Sequence, residues 1–244
     1  MAALALTALC TNAAKAGYLY VSTTDWTPTT GASVNLPINA QSGVTMGEHS
    51  LFEMAMQNDD SDNVGNTIEV GITTDLGLNG DEAPHWFVFS WISGTGQGYD
   101  SSSHFVSDIG NFWSAPLTLD EGTSERVGFQ YSAGNWWLTL DGTSAGYFPG
   151  SEWSGAFTET SNLEVYGEVY QTGTSYPTMN GTVSGYESLG GGNISSLWAD
   201  SPYVGYNGSD TGFSAEGPVP EPSTYAMMAA GVGTLLAFKR RRRS

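Results

Sequence analysis

The sequence predicts an all-β protein built as an antiparallel β-sandwich, and three observations carry that prediction. Short aromatic and β-branched runs are separated by Gly, Asn and Asp, which is the punctuation of strands and turns. No long stretch repeats its apolar residues at the 3.6-residue spacing of an amphipathic helix. Several runs alternate apolar and polar residues strictly, so each would present one face to a core and one outward.

The alternating runs justify the elements one by one. In Thr67 to Ile72, the residues Ile68, Val70 and Ile72 share a face, leaving Thr67 and Glu69 on the other. Val127, Phe129 and Tyr131 alternate with Arg126, Gly128 and Gln130. Trp136 to Leu140, then Asp141-Gly142, then Ala145 to Phe148 read as a hairpin, because Asp-Gly accepts the positive φ that a tight turn needs. Trp136 and Trp137 point to opposite faces, one into the core and one outward as a platform for a peptide or a sugar. In Leu163 to Tyr170, Val165 and Val169 point one way, while Glu164, Tyr166, Glu168 and Tyr170 point the other. Two such sheets packed face to face bury one apolar side each.

Charge narrows the function. Of 244 residues, 25 are acidic and only seven are Lys or Arg. Arg126 is the one basic residue between Gly17 and Pro218, a stretch holding every acidic residue except Glu221. That surface repels phosphates, which excludes nucleic acid and anionic lipid as partners of this domain. It also stays soluble in salt or at low pH, where screening or protonation relieves self-repulsion. The single cysteine, Cys10, sits in the N-terminal segment, so the domain expects no disulfide, no cysteine nucleophile and no cysteine-ligated metal.

Both ends read as targeting segments. Residues 1–16 are expected to be a signal peptide, with apolar Ala2 to Leu9 and the small-residue site Ala14-Lys15-Ala16 before Gly17. Residues 191–218, rich in Gly, Ser, Asn and Asp, are expected to form a flexible polar linker after a domain spanning 17–190. Residues 219–244 open with Pro220, Glu221 and Pro222, continue with an apolar segment over 225–238, and end on Lys239 and four arginines. Fourteen apolar residues barely span a bilayer, and the basic cluster would hold its end in the cytoplasm. This three-part order resembles the PEP-CTERM sorting signal of Gram-negative bacteria. The resemblance implies export, recognition by an exosortase, a brief membrane stage through 225–238, and release or attachment at the cell surface or matrix. A simple membrane anchor is the alternative.

Two glutamates stand out on strand faces that are not apolar. Glu69 follows Ile68 on a strand with an ordinary core pattern. Glu168 has Tyr166 and Tyr170 as its two-residue neighbours, an aromatic setting expected to raise its pKa toward that of a proton donor near neutral pH. Were their strands neighbours, the two carboxyls would meet on a common face and hold a water. Solvated outer-face glutamates are the bland alternative.

The same segments resemble the neprosin family of glutamic peptidases. The matching pieces are His49-Ser50-Leu51, NTIEVGIT from Asn66 to Thr73, PHWFVFSW from Pro84 to Trp91, VGFQYSAGNWWL from Val127 to Leu138, GYFP from Gly146 to Pro149, and YGEV from Tyr166 to Val169. The resemblance implies a β-sandwich that hydrolyses peptide bonds at acid pH without a cofactor. It implies Glu69 and Glu168 as the catalytic pair, with the roles of base and acid open between them. Tyr166, Tyr170, Trp137 and Gln130 are the candidate substrate contacts. Ile72 stands where the family often has Trp, so the substrate pocket is expected to differ.

Other chemistries have less support. His49, His85 and His104 lack metal-ligand spacing, and His49 reads as a bridge between backbone groups at a strand start. Asp59, Asp60 and Asp62 lack the full calcium-loop pattern. No G-x-S-x-G elbow is present, and the glycines from Gly94 to Gly98 lack the following helix of a phosphate loop. The rival reading is a non-catalytic carbohydrate-binding or matrix protein on the same fold.

Overall fold

The computed structural model describes residues 16–59, 65–97, 104–173 and 176–218. Residues 1–15 of the expected signal peptide, the acidic positions Asp60 and Asp62, the segment 225–238 and the sorting tail from 219 onward lie outside the described residues. Among the described residues, no helix is long and apolar enough to cross a membrane.

In chain order the strands are β1 (Gly17–Asp25), β2 (Gly31–Ile38), β3 (His49–Asp59), β4 (Gly65–Thr74), β5 (His85–Ile92), β6 (Thr95–Gly96), β7 (Val106–Ser107) and β8 (Thr123–Ser132). They continue with β9 (Asn135–Leu140), β10 (Thr143–Pro149), β11 (Asn162–Gln171), β12 (Gly181–Ser188), β13 (Ser195–Ala199), β14 (Val204–Ser209) and β15 (Gly212–Glu216). One helical turn, α1 (Leu76–Asn79), is capped by the Asp75 side chain and closed by Gly80 at φ 82°. The described strands form two antiparallel sheets, one ordered β13-β1-β11-β3-β4-β5-β6 and the other β14-β15-β12-β2-β8-β9-β10-β7.

The core lies between the sheets and follows the alternation read from the sequence. Ile68, Val70 and Ile72 of β4, Phe52, Met54 and Met56 of β3, and Val165 and Val169 of β11 supply one side. Val34 and Leu36 of β2, Val127 and Phe129 of β8, and Leu138 of β9 supply the other. Each fully buried aliphatic or aromatic side chain there stabilises the fold by about 1.5–3 kcal/mol relative to exposure. Trp136 is completely buried and donates its indole N–H to the Phe157 carbonyl at 2.8 Å, so a large apolar ring enters the core without an orphaned donor. The β9–β10 hairpin turns at Asp141 and Gly142 with φ of 47° and 76°, as two-residue hairpin loops require.

The expected linker over 191–218 is folded. β13 pairs with β1, and the β14–β15 hairpin extends the second sheet by pairing β15 with β12. Ile194, Tyr203, Phe213 and Ala215 are buried, and the Tyr203 hydroxyl donates to the Pro177 carbonyl at 2.6 Å. Composition misled here because these few apolar residues are diluted by Gly, Ser and Asp. The strands are also short, and they complete existing sheets instead of building their own core. The folded unit therefore runs past residue 190 to Glu216.

Candidate active site

The first sheet turns one face to the core and the other outward. In β3 the core residues Phe52, Met54 and Met56 alternate with Leu51, Glu53 and Ala55, which lie on the outer face. Directly paired residues of an antiparallel sheet share a face, so the register extends that outer face across the sheet. Glu168 pairs with Leu51 and Tyr20, Tyr166 pairs with Glu53, and Glu69 pairs with Ala55 and Phe89. Glu69, Glu168, Tyr166 and Tyr170 are thus brought to one face, with Glu53 among them.

The strands of Glu69 and Glu168 are not neighbours, because β3 runs between β4 and β11. The two glutamates sit at β3 positions four residues apart, so by ordinary sheet spacings their Cα atoms are about 16 Å from each other. Two outstretched glutamate side chains can close much of that distance over the middle of β3. At that midpoint is Glu53, opposite Tyr166 on one side and Gly71 on the other. A Cβ on Gly71 would come within 2.4 Å of the Phe87 ring and 2.6 Å of the Phe52 carbonyl, so glycine is what lets Phe87 lie against β4 beside the carboxyls.

Each carboxyl has its own setting. Glu69 is 9% exposed and accepts a hydrogen bond from the Trp91 indole at 3.0 Å. Burial pushes its pKa up to about 8, with the Trp91 bond opposing and the nearby Glu168 charge adding. Glu168 Oε1 shares a 2.7 Å hydrogen bond with His49 Nε2, and the Tyr20 hydroxyl also bonds this carboxylate. Glu53 is 2% exposed, and burial, then the charges of Glu69 and Glu168, push it well above the usual carboxylate range against a hydrogen bond from Tyr166. Tyr20 and Tyr166 are themselves raised, first by burial and then by neighbouring glutamate charge. Among the described residues, no three His, Cys, Asp or Glu side chains are grouped as a metal site.

Aromatic rings flank the carboxyls on both sides. Tyr18 packs on Tyr170 at 4.7 Å between ring centroids, His49 lies 5.8 Å from Tyr170, and Tyr20 meets Tyr166 edge-on at 5.9 Å. On the Glu69 side, Phe89 and Trp91 meet edge-on at 5.4 Å. Trp137 and Gln130 are not part of this arrangement. They pair with each other across β8 and β9 on the outer face of the second sheet, where Trp137 packs on Tyr147 at 4.7 Å. Alternation within a strand shows that Trp137 points outward; it does not show from which sheet.

Two participants escaped the sequence reading. The His49 ring holds Glu168, because it lies across from Tyr170 at the end of the β3–β11 register. Glu53 is embedded in the run Leu51 to Met56, and its signal was one carboxyl at an alternate position of an otherwise apolar strand. Burial raises the carboxyl of Glu69, a shift that strand alternation gave no sign of.

Fold and site together define a β-sandwich with a carboxyl cluster walled by aromatic rings on the outer face of one sheet. The Neprosin family model matches residues 46–188, and the chain belongs to the neprosin family. A second match, to the PEP-CTERM protein-sorting motif, covers residues 218–243 and includes Pro220, Glu221 and Pro222. Among solved structures, scytalido-glutamic peptidase with a transition-state analogue inhibitor aligns at a TM-score of 0.46 and 11% identity, over 82% of this chain and 98% of that one. CG-16, a homodimeric agglutinin from chicken liver, aligns at 0.34 and 12% identity, over 70% of this chain and all of the other. A Bacillus licheniformis β-glucanase aligns at 0.35 and 10% identity, over 82% and 74%. Likeness of this order assigns no residue its role.

Proposed function

We propose that the chain is an exported glutamic endopeptidase in which Glu69 and Glu168 activate water against a peptide bond at acid pH. The observation that carries this reading is the contrast between the two carboxyls on one face. Glu69 is pushed toward its neutral form, while Glu168 is held by a histidine and a tyrosine hydroxyl. Pairs of acids whose surroundings separate their protonation states are suited to general acid and base roles.

The division of labour follows. Glu168, ionised, takes a proton from a water held between the two carboxyls as the water oxygen bonds to the scissile carbonyl carbon. The C=O electron pair moves onto oxygen, which takes the proton of Glu69. When the tetrahedral intermediate collapses, the C–N bond breaks and nitrogen leaves with the proton that Glu168 had taken. The re-forming carboxyl group returns the other proton to Glu69. Each glutamate ends in its starting state. The tyrosine and tryptophan walls, including Tyr166 and Tyr170, would hold the extended peptide across β3. No cofactor enters these steps. The PEP-CTERM match supports export, exosortase recognition through the tail, a membrane stage through 225–238, and a final place at the cell surface, in the matrix or in the medium.

A second reading has one observation in its favour. The outer face of the other sheet carries a shallow groove lined by Ser33, Gln130, Thr139 and Glu187, beside the Trp137–Tyr147 pair, which suits a sugar. Hydrolysis of a denatured mixed protein from about pH 3 to pH 8, set beside retention on acidic and neutral polysaccharides, separates the two. Acid-side cleavage supports the peptidase. Retention without cleavage by the folded chain supports a binding or matrix protein and removes the catalytic role of the pair.

A further inference from the structure

Glu53 is the third carboxyl of the cluster and has no part in the steps above. It sits at the midpoint of the diagonal from Glu69 to Glu168, opposite Tyr166 and Gly71, and is 2% exposed. One of its oxygens, Oε1, is buried with no hydrogen-bond partner among the described residues. The titratable groups facing it are Glu69 from β4, Glu164, Tyr166 and Glu168 from β11, and Tyr20 from β1, with His49 on its own strand. β5 contributes the apolar Phe87 and Phe89 and, farther along the same face, His85, whose ring bonds Asp81 and the Trp113 carbonyl. Arg126, the only Lys or Arg between Gly17 and Pro218, lies on β8 of the other sheet.

We propose that Glu53 is a positioning residue that stays protonated throughout the working range, a neutral carboxyl wedged between the two reacting glutamates. An ionised carboxylate there would leave one oxygen undonated, beside acidic groups and, among the described residues, with no Lys or Arg on the face to offset it. The neutral acid asks for less: Tyr166 serves the oxygen it bonds, and the site carries no added charge. Its consequence for the reaction is that Glu69 and Glu168 divide one proton between the two of them, without a third negative charge to force both into the acid form. Burial and the flanking carboxyls hold Glu53 in this state. The catalytic part of the proposal rests on the two-glutamate reading, whereas the protonation of Glu53 stands apart from it.

The test is the Glu53→Gln variant of the full chain, because an amide has the shape of the neutral acid and cannot ionise. Denaturation is followed from about pH 4 to pH 8, and the stability of the variant relative to wild type is expected to rise by about tenfold in the folding constant per pH unit. Peptide hydrolysis by Glu53→Ala, which empties the midpoint, is expected to fall at least about tenfold in kcat. Glu53→Gln, which refills it with a neutral group, is expected to restore most of that rate with the wild-type pH profile. A Glu53→Ala chain as active as wild type overturns the positioning role. A stability difference that does not change with pH overturns the protonated state, whether or not the chain cleaves peptides. A folded Glu53→Gln chain that loses hydrolysis as fully as Glu69→Gln, or whose profile shifts, overturns the positioning role and makes Glu53 a proton carrier. Should Glu53→Gln not fold, infrared spectra of the Glu69→Gln chain at neutral pH decide the state: a protonated-carboxyl band is expected, and its absence overturns the proposal.

Discussion

Replacing Trp91 by phenylalanine isolates one bond of the site. The Trp91 indole N–H donates to Glu69 Oε1 at 3.0 Å, and this bond favours the ionised form of Glu69. Phenylalanine keeps a ring beside Phe89 and removes the donor. A hydrogen bond to a charged group contributes about 1.5–3 kcal/mol, and about 1.4 kcal/mol corresponds to one pKa unit. Trp91 is 37% exposed, so water replaces part of what is lost and the lower end of that range applies. Glu69 is therefore expected to move upward from about 8 by about one unit. In the proposed mechanism Glu69 acts while protonated, so the alkaline limb of the pH–rate profile moves up by the same amount and the acid limb stays in place. Initial rates on a quenched-fluorescence peptide across the pH range measure this. An alkaline limb that stays put or moves down in folded Trp91→Phe would refute Glu69 as the acid.

Further outcomes follow from neighbouring groups. Glu69 has a folded-state pKa above its ordinary value, so its contribution to stability is complete below about pH 4.5 and is lost as pH rises toward 8, by about 1.4 kcal/mol per unit. Glu69→Gln should accordingly be inactive, yet melt above wild type at pH 8 by a margin that shrinks toward pH 4.5. Glu48 behaves in the opposite sense. It is 2% exposed; burial pushes it up, but bonds from Thr172, Thr45 and Gly173 prevail and hold it below its ordinary value. Its stabilisation is present above the unfolded carboxyl pKa and lost as pH falls, so Glu48→Gln should cost about 1–3 kcal/mol near neutrality and progressively less in acid, by urea denaturation. Gly71→Ala forces a methyl into Phe87 and the Phe52 backbone, and should cost about 1–3 kcal/mol. It should also lower kcat more than it raises KM, since the methyl displaces the strand carrying Glu69.

What the sequence disclosed and what it hid have the same physical root. Side-chain alternation is local, so it placed Ile68, Val70, Val165 and Val169 in the core and turned Glu69 and Glu168 away from it. Strand order is not local. Nothing in the two glutamate segments shows that β3 runs between them, nor that Trp137 and Gln130 look out from the opposite sheet. Glu53 was hidden because five of the six residues from Leu51 to Met56 are apolar, and such a run conceals which alternate positions leave the core. His49 needed the β3–β11 register before its ring could be put against Glu168. Segment 191–218 failed as a linker for a different reason: Phe213 and Ala215 bury themselves on a sheet already made, so little hydrophobic content is needed.

The central claim is that Glu69 and Glu168 act as one catalytic unit, and a double-mutant comparison tests it most directly. Glu69→Gln, Glu168→Gln and the double variant are purified folded and assayed on one peptide at the optimum of the wild-type chain. Groups that work as a unit are strongly non-additive, so each single variant should lose at least about a thousandfold in kcat, and the double variant should be scarcely worse than either. Independent, multiplying losses, or a single variant that keeps wild-type activity, would contradict the pair.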